Sequence, residues 1–446
     1  LTAIITNSYR IHNARQFEEE FAEANQIFYL GIGRPAPWST ESSPDTPTDT
    51  FNQMNNGELW RDMIGAKKIL STDVDTVVPR VNWTTGTVYD MYQHDDTAMF
   101  TKSFLVLADG VNVYKCIRNG LVGDAGTSST TTSTVKPDHV TPNTTPIESD
   151  GYMWRFMYTV SSANITKYLT TSWMPVISST NSAVDTNIGS VHVVLLTAVG
   201  SGYTNGTVSL GVSGDGTGFA ANVTITSNSV ANVTVTNVGT GYTQLTLTLS
   251  SGGGSGATFK PIYSPGGKLA ARGHGWDLEE ECGGFYRLLN CKLEFGETST
   301  LTTSNDYRRV MVIKNPYNWG TTTIATVVNR RQTQRLTAAV VSGTLVADET
   351  VTGGTSAATA KVVEWDAAST HLFLTNSSVV EGLTTAWTNG ETLTGGTSGA
   401  TVTYSAGTVD NPDLEPGSGL ILYVENRAAI VRSADQSEDF KIIFEF

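Results

Sequence analysis

Apolar residues recur along this chain in two periods, and the switch between them sets the expected architecture. Near the start, Ile11, Ala14, Phe17, Phe21 and Ala24 return every three or four residues with Arg, Glu and Gln between them. That spacing predicts one amphipathic helix within the first ~30 residues, with Asn13 and Gln16 as a capping box. Residues 26–33 then read as a buried strand, and 34–50 as a loop rich in Pro, Ser, Thr and Asp. Leu59, Trp60, Met63 and Ile64 predict a second short helix over 58–70. Strands are expected over 74–83, 100–116 and 151–160, the last carrying four aromatics, and a long exposed loop over 123–150. Residues 423–446 predict two short strands around a polar turn. Phe440, Ile442, Phe444 and Phe446 alternate there as they do in a strand pinned into a sheet.

Two tandem repeats interrupt this pattern. Ala198-Val-Gly-Ser-Gly-Tyr-Thr204 returns 39 residues later as Asn237-Val-Gly-Thr-Gly-Tyr-Thr243. Val351-Thr-Gly-Gly-Thr-Ser-Ala-Ala-Thr-Ala360 returns 42 residues later as Leu393-Thr-Gly-Gly-Thr-Ser-Gly-Ala-Thr-Val402. Each unit of ~40 residues alternates Val and Thr between Gly turns, as expected for a small β-unit that needs its twin to complete a core. The expected organisation is therefore a discontinuous main domain, 1–186, 263–337 and 409–446, carrying inserted β-repeat modules at 187–262 and 338–408. The fold class is all-β, mainly antiparallel β-sandwich, with one or two short helices.

Composition sharpens this. Charged residues are only 16% of the chain, below the usual quarter, and Thr, Ser, Asn and Gly take their place. A net charge of −14 disfavours nucleic acid, which needs a basic footprint. No 18-residue apolar run is present, so membrane insertion is not expected, and no signal peptide is visible. Three cysteines, Cys116, Cys282 and Cys291, suit a reducing compartment without a disulfide framework, with a Cys282–Cys291 bridge across a hairpin as the alternative. The Asn-x-Ser/Thr sequons, Asn143 among them, are expected by chance in a Thr-rich chain.

Candidate chemistry is sparse. The Gly200-Ser-Gly-Tyr and Gly214-Asp-Gly-Thr-Gly loops lie between strands, without the helix N-terminus that a phosphate cradle needs, and read as turns. His274, Asp277, Glu279 to Glu281 and Cys282 are the residues nearest to a metal set. Consecutive glutamates diverge on a strand or loop, so a solvated acidic loop is the expectation. No catalytic, cofactor or metal residues are assigned. Trp60, Trp83, Trp154 and Trp319 stand as candidate interface or structural anchors. So does the stiff Gly33-Arg-Pro-Ala-Pro-Trp38 stretch, in which proline limits the entropy lost on docking.

The blocks 27–39, 59–70, 77–83, 113–116 and 150–156, with Val424-Glu-Asn-Arg427 and Asp435-Gln-Ser-Glu438, follow one order. In that order they resemble the dimeric baseplate wedge protein of T4-type contractile-tailed phages. The repeats resemble decorations of cyanophage structural proteins. The resemblance adds Asn426 and Arg427 to Arg34, Pro35 and Trp38 as candidate anchors. It implies a non-enzymatic homodimer in each wedge, linking the wedge core to peripheral fibre-bearing or receptor-contact subunits. It also implies a virion location, with assembly in the host cytoplasm. The alternative is a receptor- or glycan-binding adhesin of a tail fibre, for which the repeats speak.

Overall fold

The computed structural model describes residues 3–49, 53–120, 126, 129–141, 145–177, 184–265, 273–294, 296–297, 300–303, 305–384, 386–433 and 435–446. The side chains of 53–56 and 406–408, and the sequon at Asn143, lie outside the described residues. Strands in antiparallel sheets dominate, which is the all-β class expected. Four α-helices occur among the described residues, Asn7–Glu20, Gln53–Arg61, Ser162–Tyr168 and Leu278–Cys282, where one or two were expected.

Three local expectations are corrected, and the two strands expected in the final stretch are present. The first helix begins six residues before Asn13, and the Thr6 hydroxyl accepts from the Tyr9 N–H at 3.3 Å in the capping role. Its polar first turn carries no apolar rhythm to mark it. The second helix stops at Arg61, and Met63–Ile69 is a strand paired on both sides, with Phe28–Gly33 and with Asn329–Arg331. Burial of Met63, Ile64, Ala66 and Ile69 between those partners overrides their helix-like spacing. A Cβ at Gly65 would overlap Leu301, so glycine here serves close packing. Within 123–150 the chain is only partly the exposed loop expected. Ser133 is buried, and its backbone pairs with Gly86 and Thr87. The strands Leu420–Val431 and Ser437–Glu445 belong to different sheets, with Phe440 and Ile442 buried.

The chain forms two compact units, one of Leu1–Gln16, Asp75–Leu288 and Ile443–Phe446, the other of Phe17–Val74 and Leu289–Ile442. In the first, Leu105–Ala108, Asn112–Asn119 and Tyr152–Thr159 form an antiparallel meander. Its core holds Tyr89, Tyr114, Tyr152 and Trp154, the last two rings stacked at 5.5 Å. Val191–Ser201 pairs with Ser255–Tyr263, while Thr217–Thr226 pairs with Ser229–Thr240 and Gly206–Ser209.

The first repeat motif explains itself here. Tyr203 and Tyr242 are both buried, and each phenol oxygen accepts a backbone N–H at 3.2 Å, from Ala257 and Phe219 respectively. Gly200 (φ +66°) and Gly239 (φ +61°) leave room for those rings. A Cβ at either would lie 2.7 Å from the tyrosine Cε2. Gly200 and Gly239 are thus not the turn residues expected: they lie near the ends of the strands Val191–Ser201 and Ser229–Thr240 and admit an aromatic side chain.

In the second unit a five-stranded sheet runs Asn329–Arg331, Met63–Ile69, Phe28–Gly33, Asp306–Lys314, Leu420–Val431. Gln334–Ser342, His371–Thr375, Thr359–Asp366, Thr350–Gly353, Thr392–Gly395 and Thr401–Asp410 close into a six-stranded barrel, so this part is not a sandwich. Its two Thr-Gly-Gly-Thr-Ser loops exchange caps. The Glu349 carboxylate accepts from the N–H groups of Thr397 (3.0 Å) and Ser398 (2.9 Å). The Glu391 carboxylate accepts from those of Thr355 (3.0 Å) and Ser356 (2.9 Å). Glu349 and Glu391 stand 42 residues apart, the repeat length, and each also takes the hydroxyl of the serine it caps. Burial raises both acids' affinity for a proton, but the donors outweigh it and hold both carboxyls below their usual range.

Candidate interface site

The chain leaves the buried Phe28–Gly33 strand into a stiff loop, and Arg34 is its turning point. Arg34 adopts φ +57°, a left-handed conformation that costs energy outside glycine. Its N–H donates to the Asp62 carbonyl at 2.8 Å, which ties the loop to the end of the second helix. The Arg34 guanidinium then lies 3.7 Å from the centre of the Trp38 ring. The Trp38 indole N–H donates to the Arg427 carbonyl at 2.8 Å, on the far strand of the same sheet.

Arg308 and Arg309, neighbours on the strand Asp306–Lys314 where its pairing with Leu420–Val431 is irregular, both hold the loop. Arg308 donates to the Pro35 carbonyl, to Glu41 Oε1 at 2.7 Å and to Asp306 Oδ2 at 2.8 Å. Glu41 also accepts from the Trp38 N–H at 3.0 Å. Burial favours the neutral Glu41 carboxyl, but Arg308 and the Trp38 N–H outweigh it and hold Glu41 below the usual carboxylate range. Arg309 Nε donates to Asn426 Oδ1 at 2.9 Å, and Asn426 Nδ2 to the Asp45 carbonyl at 2.8 Å. Burial pulls Arg309 below its usual value despite Asp62 and Glu58 nearby.

The result is a cleft of about 200 Å³ lined by Arg34, Trp38, Glu58, Arg309, Val424 and Asn426. Arg34 Nε and Arg309 Nη1 are buried and make no hydrogen bond among the described residues, although Arg309 Nη1 sits 3.5 Å from Asp62. Trp38 and Arg309 are buried here and Arg34 is half-buried, so the guanidinium groups and the indole fix the loop against the sheet.

Five predicted anchors therefore meet at one place: Arg34, Pro35, Trp38, Asn426 and Arg427. The other four do not join them. Trp60 is buried in the second unit's core, and Trp154 in the first unit's. Trp83 is half-buried with its indole N–H on the Ser133 hydroxyl at 3.0 Å, and Trp319 is half-buried with its backbone N–H on the Asp413 carbonyl. The sequence reading missed Arg308, Arg309 and Glu41. An Arg-Arg pair inside an apolar strand was the available signal, because two charges buried there both demand partners.

The acidic stretch at 277–281 is not the solvated loop expected. It forms the helix Leu278–Cys282, with Asp277 as its cap, accepting from the Glu280 N–H at 3.0 Å. Glu281 is buried against Lys115 and accepts the N–H groups of Gly275 (2.5 Å) and Trp276 (2.9 Å). Asp277 and Glu279 pair with Arg15 at 2.9 and 2.5 Å. All three cysteines are free and buried, which removes the Cys282–Cys291 bridge.

Comparison with known proteins bears on the same segment. Residues 3–118 match the family model described as Bacteriophage T4, Gp8. The chain is 26% identical, over 191 residues, to the baseplate wedge protein gp8 of Enterobacteria phage T4. That alignment covers 35% of this chain and 55% of the T4 protein, so the chain spans about half the length of that relative. The similarity supports a structural role in a baseplate, and the stretch that matches the Gp8 family is the one that carries Arg34, Pro35 and Trp38.

Proposed function

We propose that this chain is a structural subunit of a phage tail baseplate wedge. It acts as a non-enzymatic homodimeric coupler between the wedge core and peripheral fibre-bearing or receptor-contact subunits. The observation that carries the reading is the Gp8 match over 3–118, together with the pinned Arg34–Trp38 loop that lies within it. A coupler transmits movement only if its elements move as units, with compliance confined to its contacts. A loop fixed by Arg308, Arg309 and the Arg427 carbonyl meets that requirement.

In this reading the repeat segments 187–262 and 338–408 are insertions into a discontinuous main domain, and the partner contacts lie on that main domain. The particle's tail baseplate is the location, reached by assembly in the host cytoplasm. Sedimentation of the full chain, alone and with the other wedge proteins of its phage, tests the proposal. A dimer that enters a wedge complex is expected. A monomer that joins no such complex overturns it.

A further inference from the structure

Two strands of the first unit run alongside each other without pairing. Among the described residues, Val191–Ser201 bonds to Ser255–Tyr263 on one edge, and Ser229–Thr240 to Thr217–Thr226 on one edge. Their other edges share a core through Val191, Val194, Val230 and Val233, but backbone hydrogen bonds join them at the two ends alone among the described residues. The Tyr203 N–H donates to the Asn228 carbonyl at 3.1 Å, and the Gly241 N–H to the Ile188 carbonyl at 2.6 Å. These two bonds set the strands antiparallel. Between them no backbone hydrogen bond joins the two strands among the described residues. Unpaired strand edges are templates for another strand.

A groove of about 430 Å³ lies along this gap. Its walls include the consecutive residues 192–194 and 231–235. Side chains alternate between faces of a strand, so only a strand presented edge-on lines a groove with consecutive residues. The floor is apolar, with Met153, Val193 and Val233 buried, and Ile147 stands 60% exposed at the rim. One cation lines it that no carboxylate balances. Arg118 donates through Nε to the Gly151 carbonyl at 2.9 Å, and no carboxylate among the described residues pairs with it. His192, the other titratable group in the wall, is engaged with Asp185 at 3.1 Å.

We propose that this groove binds an extended segment of a partner protein by strand addition, with alternating apolar residues on its floor and a carboxylate on Arg118. Main-chain bonds to the open edge of Ser229–Thr240 at residues 231–235 supply affinity, and the Arg118–carboxylate pair sets register and specificity. The inference does not depend on the baseplate reading, because the groove lies outside the segment that matches the Gp8 family, apart from Arg118 at its end.

The probe is a fluorescein-labelled hexapeptide, acetyl-Thr-Val-Glu-Val-Thr-Val-amide, and its Glu-to-Gln counterpart, titrated against the full chain. The Glu peptide is expected to bind at least tenfold more tightly than the Gln peptide. Arg118→Gln should abolish that difference and Arg118→Lys retain part of it, both variants melting as wild type. Amide exchange within 231–235 should slow on binding. Equal affinity of the two peptides, no binding at millimolar concentration, or unchanged exchange at 231–235 overturns the proposal. So does a dimer of the wild type that Arg118→Gln dissociates and the peptide displaces, because the occupant is then a second copy of this chain.

Discussion

Removing the charge of Glu391 should loosen a loop of the other repeat while leaving its own largely intact. Glu391 Oε2 accepts from Thr355 and Ser356, and Oε1 from Thr388 at 2.7 Å. In Glu391→Gln the amide group offers one acceptor and one donor. Its NH₂ must then face either the Thr355/Ser356 pair or the Thr388 N–H. Either way a part-buried donor loses its acceptor and the remaining bonds lose their charge assistance. A part-buried donor escapes the full penalty of a buried one, but a hydrogen bond to a charged group contributes ~1.5–3 kcal/mol and two or more are weakened, so a net loss of about 2–3 kcal/mol is expected. At about 1.4 kcal/mol per tenfold, amides of residues 353–358 should exchange roughly 30- to 140-fold faster. Glu349→Gln should do the same to residues 395–400, where Glu349 holds Thr397 and Ser398. Both carboxyls are depressed in the folded state, so their stabilisation is full above the unfolded carboxyl range and is lost as pH falls through the folded values. The barrel should therefore weaken in acid, and the double Gln variant should lose most of that pH dependence. Faster exchange confined to the substituted residue's own repeat would refute the exchanged-cap reasoning.

Tyr242→Phe leaves the Phe219 N–H buried without its acceptor and should cost ~1–3 kcal/mol by hydrogen exchange. Gly239→Ala should cost at least as much, since its Cβ meets the Phe219 nitrogen at 2.7 Å and φ is +61°. Glu281→Gln strands the fully buried Lys115 and should destabilise the protein by ~3–5 kcal/mol in urea. A variant of wild-type stability would show that the pair is not the anchor of the Leu278–Cys282 helix. Burial pushes the Cys291 thiol up to about 12, and Cys116 and Cys282 upward as well, so the native protein should resist alkylation at pH 8 until it is unfolded. Rapid labelling of any of the three would contradict their burial.

Much of the fold was legible because its signals are local. Val/Thr alternation and Gly turns name strands directly, and the 39- and 42-residue repeats announce paired units. The strand Met63–Ile69 was not legible, because flanking strands that bury it lie hundreds of residues away in part. Arg34, Pro35 and Trp38 could be singled out from proline stiffness alone. Their meeting with Arg308, Arg309 and Asn426 depends on the register of the five-stranded sheet, which no local pattern encodes. Similarly, the swap between Glu349 and Glu391 is invisible in either repeat alone. Each glutamate immediately precedes the strand leading into its own loop, and only closure of the barrel aims it at the other.

The central claim is best tested on the particle itself. Purified contractile-tailed virions encoding this chain should be labelled with immunogold antibody raised against it, with mass spectrometry of the same denatured particles. Label at the distal end of the tail, with the chain present among the virion proteins, is the predicted result. Label along the fibres, or absence of the chain from the virions, would contradict a role in the baseplate wedge.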